Sequence, residues 1–438
     1  MWDLLITGAN LCDPANGIEA RSDLAIEAGR VVKVAPDLDQ SQAKKVIALP
    51  GKVIVPGLID VHVHLSTHTE LGFEMVAKAG IVTVIDFAGD GKTLKAALAN
   101  GEGRGLNLGF LKPAVPQSTI STVDPPEEEL ETFVEETQRE GALGIKMLGG
   151  HHPISPATVK ALIKIAARDK VFIASHVGTT NYGSNIEGLK ETIELAAGNP
   201  LYIAHLQSYC RGQTGKDPSL EAIEALELIK SHSNLIAESY LSPFNGTSGR
   251  CEEGIPKSHV TRTCLKFGGF PETEEGIRQA IRVGYAHVNM PSGGELIKAT
   301  GEKAQIYWER QKTNTRLSFP VNSAAAAVKI ATAKNNGEFI AKVLSTDGGT
   351  IPRNTLVEDG LALVRLGALK LAEFVMKAAT NPAKIFGFKT KGHLGVGADA
   401  DLTVLDLARG KAYLSMSQGE LIMLDGVVVG RGGKFLEG

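Results

Sequence analysis

The chain has 438 residues, 43% of them hydrophobic and 22% charged, with a formal net charge of −3. That composition is too apolar for a disordered chain and too charged for a membrane protein, and the charge offers nothing to nucleic acid or an anionic membrane. Four cysteines, Cys12, Cys210, Cys251 and Cys264, form no CxxC pair, so neither a disulfide framework nor a thiolate zinc site is expected. The stretch MWDLLITGANLCDP has no basic region followed by a long apolar run, and no run of about 18 apolar residues occurs anywhere. A cytoplasmic protein with no membrane or nucleic-acid partner is expected.

Residues 1–55 read as short β-strands, with WDLLITGANLCDP, DLAIEAGRVVKVAP and KKVIALPGKVIVPG punctuated by Gly, Pro and Asp turns. Strands and helices then alternate. The strand candidates are 57–65, 81–89, 106–114, 143–148, 171–178, 201–208, 234–241 and 341–349. Between most of them lie helical patterns such as SPATVKALIKIAARD and SLEAIEALELIKSH; SPAT and DPSLE supply a capping oxygen followed by proline in the first turn. About 100 residues separate the last two strands, long enough to elaborate the mouth of a barrel. Residues 391–438, with GADADLTVLDL, GELIMLDGVVVG and GKFLEG, are β-like again. The expected fold is α/β: a (β/α)8 TIM barrel over 56–390, with a small β-sandwich domain built from both termini, 1–55 and 391–438.

Polar residues collect at the strand ends. In DVHVH, His62 and His64 are two apart and point to one face of an extended strand. Lys146 sits inside the apolar strand GALGIKMLGG; His176 ends the fifth strand, His205 the sixth and Asp347 the eighth. The carboxyl ends of barrel strands are where such a fold keeps its active site. Taken singly, each has an ordinary explanation: a packed histidine, an Asp-Gly turn, or Lys146 paired with Asp86. Together, imidazoles and a carboxylate on one rim make a divalent-metal site the better explanation. Lys146 fits such a site if its neutral amine takes up CO2, because the resulting carbamate is anionic and can bridge two cations.

These motifs resemble the amidohydrolase superfamily, specifically its carboxylated-lysine, two-metal branch of dihydroorotases, hydantoinases and D-aminoacylase-like enzymes. VIVPGLIDVHVHL is similar to the first-strand signature, GIKML to the lysine strand, SHVG and AHLQS to the two later histidines, and STDGG to the final-strand aspartate. TNPAKIFGF and KGHLGVGADADLTVLD resemble the re-entry into the small domain. The resemblance implies two divalent ions, Zn2+ above others. His62 and His64 would hold the buried ion with Asp347, His176 and His205 the exposed one, and the carbamate of Lys146 would bridge them. It implies hydrolysis of a C–N amide bond by a hydroxide bridging the ions, with Asp347 carrying the proton, and a homo-oligomer.

Where hydantoinase-like members carry an oxyanion-binding tyrosine, this chain has His151 followed by His152. Either imidazole could be the donor, or neither. Arg211, Arg250 and Arg353 are candidates to grip a carboxylate on a small amide substrate, with Tyr240 and Asn289 as further pocket contacts. A deaminase on the same fold is the alternative, but it would carry a glutamate three residues past His176, where Thr179 stands. A non-catalytic dihydropyrimidinase-like scaffold would typically have lost ligands that this chain keeps.

Overall fold

A computed structural model describes residues 1–65 and 68–438. Seven parallel strands run in chain order: β1 (Leu58–His64), β2 (Ile81–Asp86), β3 (Asn107–Ala114), β4 (Gly144–Met147), β5 (Phe172–Ser175), β6 (Leu201–Ile203) and β7 (Leu235–Ser239). The eighth position is split. β8 (Val343–Leu344) pairs with β7, and β9 (Gly348–Gly349) pairs with β1, so the sheet curls round on itself. The single strand expected over 341–349 therefore breaks at its centre. Asp347 takes a left-handed φ of 53°, and the buried Asp60 carboxylate accepts from Thr346 N at 3.2 Å and Thr346 Oγ1 at 2.5 Å. The strand expected over 201–208 also stops early. His205 has φ 35°, and a 3-10 turn, Leu206–Tyr209, follows it. Both breaks fall on a candidate site residue, where irregular backbone re-aims a side chain.

The helices between strands begin as the sequence suggests. Ser155 Oγ accepts from Thr158 N at 3.0 Å ahead of Pro156–Arg168, and an Asp217 carboxylate oxygen accepts from Ser219 N at 2.8 Å ahead of Pro218–Lys230. Each such cap is worth about 1 kcal/mol. Leu162, Ile163 and Ala166 on the first helix, and Ala222, Leu226 and Ile229 on the second, are buried in one core cluster with Ile145, Ile173 and Ile203 of the strands.

The two ends of the chain share a sheet. Leu402–Asp406 pairs antiparallel with Val53–Pro56, Leu402 facing Pro56 and Leu405 facing Val53. It belongs to a seven-stranded sheet that also holds Asn10–Asp13, Ile18–Arg21, Lys411–Ser417, Glu420–Leu424 and Val427–Val428. A four-stranded sheet built from residues 4–48 lies with it around Ile6, Leu24, Ile54, Leu402 and Val404. Lys434–Phe435, grouped from the sequence with this β-rich end, instead pairs in parallel with Asn107–Leu108 of β3. β4 pairs with β3 only from Leu111 onward, which leaves that edge of β3 open for a further strand.

The long connection between β7 and β8 is a folded insert. Its antiparallel sheet runs Asn245–Ser248, Arg316–Phe319, His287–Ser292, Glu295–Ala299. Helices His259–Phe267, Glu274–Arg282 and Gly301–Arg310 close a separate core around Leu265, Ile277, Val288, Trp308, Leu317 and Phe319. As expected, it sits over the mouth of the barrel. No helix among the described residues is long and apolar enough to cross a membrane.

Candidate active site

At the carboxyl ends of the strands lies a cavity of about 530 Å³, and its lining includes His62, His64, Lys146, His151, His152, His176, His205, Asn289 and Asp347. Asp347 is central. Its Oδ1 lies 2.9 Å from His64 Nε2 and 3.5 Å from His62 Nε2. One ligand atom each on His62, His205 and Asp347 falls within 4.8 Å of the other two, and all three residues are buried. The rings of His62 and His205 are 5.2 Å apart, those of His205 and His176 4.5 Å, and those of His176 and His151 4.7 Å. The histidines thus form a continuous arc along the rim.

Burial keeps this arc neutral. It holds His62 below the ordinary histidine range and His176 and His205 well below it. Burial also pushes His151 down to about 3. Neutral imidazoles are what a cation needs as ligands. Burial alone would raise Asp347, but the Arg353 guanidinium, 2.5 Å from its Oδ2, and the nearby His62 and His64 carry it well below the carboxylate range. The rim therefore offers lone pairs and one fixed negative charge.

Lys146 is 1% exposed, and its Nζ has no hydrogen-bond partner among the described residues. It lies 4.6 Å from the centre of the Phe87 ring, which also packs against the His62 ring at 4.3 Å. Burial lowers the ammonium from 10.5 to about 8, against the pull of Glu238 and Asp347. The ion pair with Asp86, the ordinary explanation for this lysine, is not formed. Asp86 instead accepts from Leu65 N at 2.8 Å and Ala88 N at 3.0 Å, binding the end of β1 to the end of β2.

Sequence reasoning missed Glu238, the penultimate residue of β7 and fully buried. Its Oε1 accepts from His62 Nδ1 and, at 3.1 Å, from His205 N; its Oε2 accepts from the Tyr202 hydroxyl at 2.9 Å. This fixes which His62 nitrogen carries the proton and leaves Nε2 facing Asp347. The signal was available: a charge inside the apolar run NLIAESYL is as conspicuous as Lys146 in its own strand.

The residues expected to contact substrate separate into two groups. Asn289 lines the cavity and is joined there by Arg316, which sequence reasoning also missed. Arg211, Tyr240, Arg250 and Arg353 are not on its wall. Arg211 is buried behind it, donating from Nε to Asn322 Oδ1 at 2.8 Å and from Nη2 to Asn245 Oδ1 at 2.9 Å. Arg250 is exposed and pairs with Glu252 at 2.9 Å. Arg353 lies behind Asp347, donating from Nε to the Asp347 carbonyl at 2.7 Å and from Nη1 to the Tyr240 hydroxyl at 3.2 Å. Arg353 and Tyr240 therefore brace Asp347 from behind.

The amidohydrolase family model matches residues 53–430. A dihydroorotase of Trichlorobacter lovleyi is 23% identical over 440 residues, spanning 93% of this chain and 90% of its own. An L-hydantoinase of Paenarthrobacter aurescens is 24% identical over 451 residues, spanning 93% and 86%. Among solved structures, a D-aminoacylase mutant in complex with CuCl2 superposes with a TM-score of 0.73 at 16% identity, covering all of both chains. N-acyl-D-glutamate deacylase from Bordetella bronchiseptica, complexed with zinc and a phosphonate mimic of the tetrahedral intermediate, reaches 0.69 at 15% identity, again with full coverage. The structural likenesses establish a shared fold. The family match covers most of the sequence: the chain belongs to the amidohydrolase family and is a hydrolase of carbon–nitrogen bonds other than peptide bonds.

Proposed function

We propose that this protein is a metal-dependent hydrolase that cleaves the amide C–N bond of a cyclic amide or an N-acyl amino acid. The observation that carries the reading is the convergence of buried ligand atoms of His62, His205 and Asp347 within 4.8 Å, beside a Lys146 Nζ that has no partner among the described residues. The donor set suits zinc or a similar divalent ion. His62, His64 and Asp347 would hold one ion, His176 and His205 a second, and Lys146, as the CO2-derived carbamate, would join them. Bound there, the ions would polarise the scissile carbonyl and acidify water.

The chain's own groups supply the rest. Asp347, kept ionised by Arg353, accepts the proton of the attacking water and passes it to the departing nitrogen. His151, neutral and on the cavity wall beside His176, donates to the oxygen that becomes negative in the tetrahedral adduct. Glu238 keeps the His62 proton on Nδ1. The test is metal analysis followed by a hydrolysis screen of hydantoins, dihydropyrimidines, dihydroorotate and N-acyl-D- and L-amino acids. Uptake of about two metal equivalents and turnover of one substrate class are expected. Protein that takes up no divalent ion, or that is inert to the whole panel once loaded, refutes the reading.

A further inference from the structure

The two faces of the insert's sheet have different surroundings. Val288 and Leu317 pack into the insert's own core, whereas Ser248, Asn289, Thr315 and Arg316 line the cavity. Ser248 is paired with Arg316 across one ladder and Val288 with Leu317 across the next. The antiparallel register therefore brings Asn289 level with Arg316. A hydroxyl, a guanidinium and an amide stand in a row on three adjacent strands.

Some of these groups lack partners. Asn289 is 6% exposed; its Oδ1 accepts from Ser318 Oγ at 2.9 Å, but its Nδ2 is buried with no hydrogen-bond partner among the described residues. Thr315 Oγ1, beside Arg316 in the chain, is likewise buried and unpartnered among the described residues. Folded proteins seldom leave such atoms unmatched unless a ligand or water completes them. Two donors next to a guanidinium call for an acceptor, and an anionic one.

We propose that Asn289, Thr315 and Arg316 form a subsite for a carboxylate carried by the amide substrate. The proposal rests on reading the cavity as the hydrolytic site. The planar guanidinium fork matches the two oxygens of a carboxylate, and the Asn289 amide and Thr315 hydroxyl add donors to the same group. A neutral ring amide would leave the Asn289 amide nitrogen and the Thr315 hydroxyl unmatched, and sites built this way reject ligands that lack the polar group. The substrate class is narrowed to N-acyl amino acids and cyclic amides bearing a ring carboxylate, and away from unsubstituted hydantoins and dihydropyrimidines.

The experiment compares ligands that differ only in that group: an N-acetyl amino acid against its carboxamide, and dihydroorotate against dihydrouracil. Binding is read by calorimetry on the metal-loaded protein, and turnover is followed separately. The carboxylate member of at least one pair should bind wild-type protein about tenfold to a hundredfold tighter, the range expected of hydrogen bonds to a charged group. Arg316→Met should erase that preference while leaving metal content unchanged, and Arg316→Lys should keep part of it. Equal binding within both pairs by wild-type protein overturns the proposal without needing any variant. So does a preference that survives in folded Arg316→Met. Carboxylate-selective binding without hydrolysis would keep the subsite and sink the hydrolase reading, so the two failures are distinguishable.

Discussion

Replacing Glu238 by glutamine is the most informative single change. The wild-type carboxylate is fully buried and receives hydrogen bonds from His62 Nδ1, from His205 N at 3.1 Å and from the Tyr202 hydroxyl at 2.9 Å. Glutamine keeps the volume and one acceptor oxygen, which can still serve His62 and His205. Its amide nitrogen then faces Tyr202, whose hydroxyl can turn to accept. The fold should survive with a loss of about 1–2 kcal/mol. His62 loses the carboxylate that orients it and makes it more basic, which for such partners typically costs ~10–100-fold in metal affinity. Glu238→Ala is harsher. It leaves two side-chain donors and one backbone N–H buried without a partner, about 3–5 kcal/mol in all. The assay is metal retained against a graded chelator series, read beside thermal unfolding of the metal-free protein. A merely structural Glu238 would lower stability in both variants and leave the metal affinity of Glu238→Gln at the wild-type level. That result would refute the positioning role.

Lys146→Ala should leave the barrel folded but abolish two-metal binding and turnover, with partial rescue by small carboxylates; full activity in this variant excludes a bridging role. Arg353→Met removes both the ion pair to Asp347 Oδ2 and the hydrogen bond to its carbonyl. It should cost about 3–5 kcal/mol in thermal or denaturant unfolding, as expected when one partner of a buried pair is lost. Lys377, on the turn Met376–Thr380, is fully buried, and burial, with Lys342 and Lys334 nearby, lowers its ammonium from 10.5 to about 7. Between those values the unfolded chain binds the extra proton, so the contribution of Lys377 to stability rises with pH through that window and is least below pH 7. Relative to Lys377→Met, wild-type protein should therefore gain about 3–4 kcal/mol between pH 6 and pH 10 in denaturant unfolding. Parallel pH curves for the two proteins would show that the amine is not buried neutral.

The sequence exposed the rim and concealed what supports it. His62, His64, His176, His205 and Asp347 were legible because each closes an apolar strand, and strand ends in a barrel share one face. The breaks at His205 and Asp347 were not legible, because left-handed backbone at a non-glycine residue is imposed by tertiary contacts such as Asp60 with Thr346. Arg353 lies six residues from Asp347, and that spacing could not reveal that it turns back to brace the aspartate rather than forward into the cavity. Arg316 could not be found at all. Its place on the wall depends on the register of a sheet whose strands are far apart in the chain, and no local pattern encodes that register.

The insert's separate core has an evolutionary consequence. Val288 and Leu317 hold its sheet together from one side, while the cavity is met by Asn289 and Arg316 on the other. The apolar side chains that hold the insert together are thus not the ones that meet the cavity. On the proposed reading the chain divides its labour: the bond-breaking groups sit on barrel strands, and the recognition groups sit on an insert with a core of its own. A lineage with this architecture can acquire a new substrate by altering alternate positions on two or three insert strands, with its chemistry left intact.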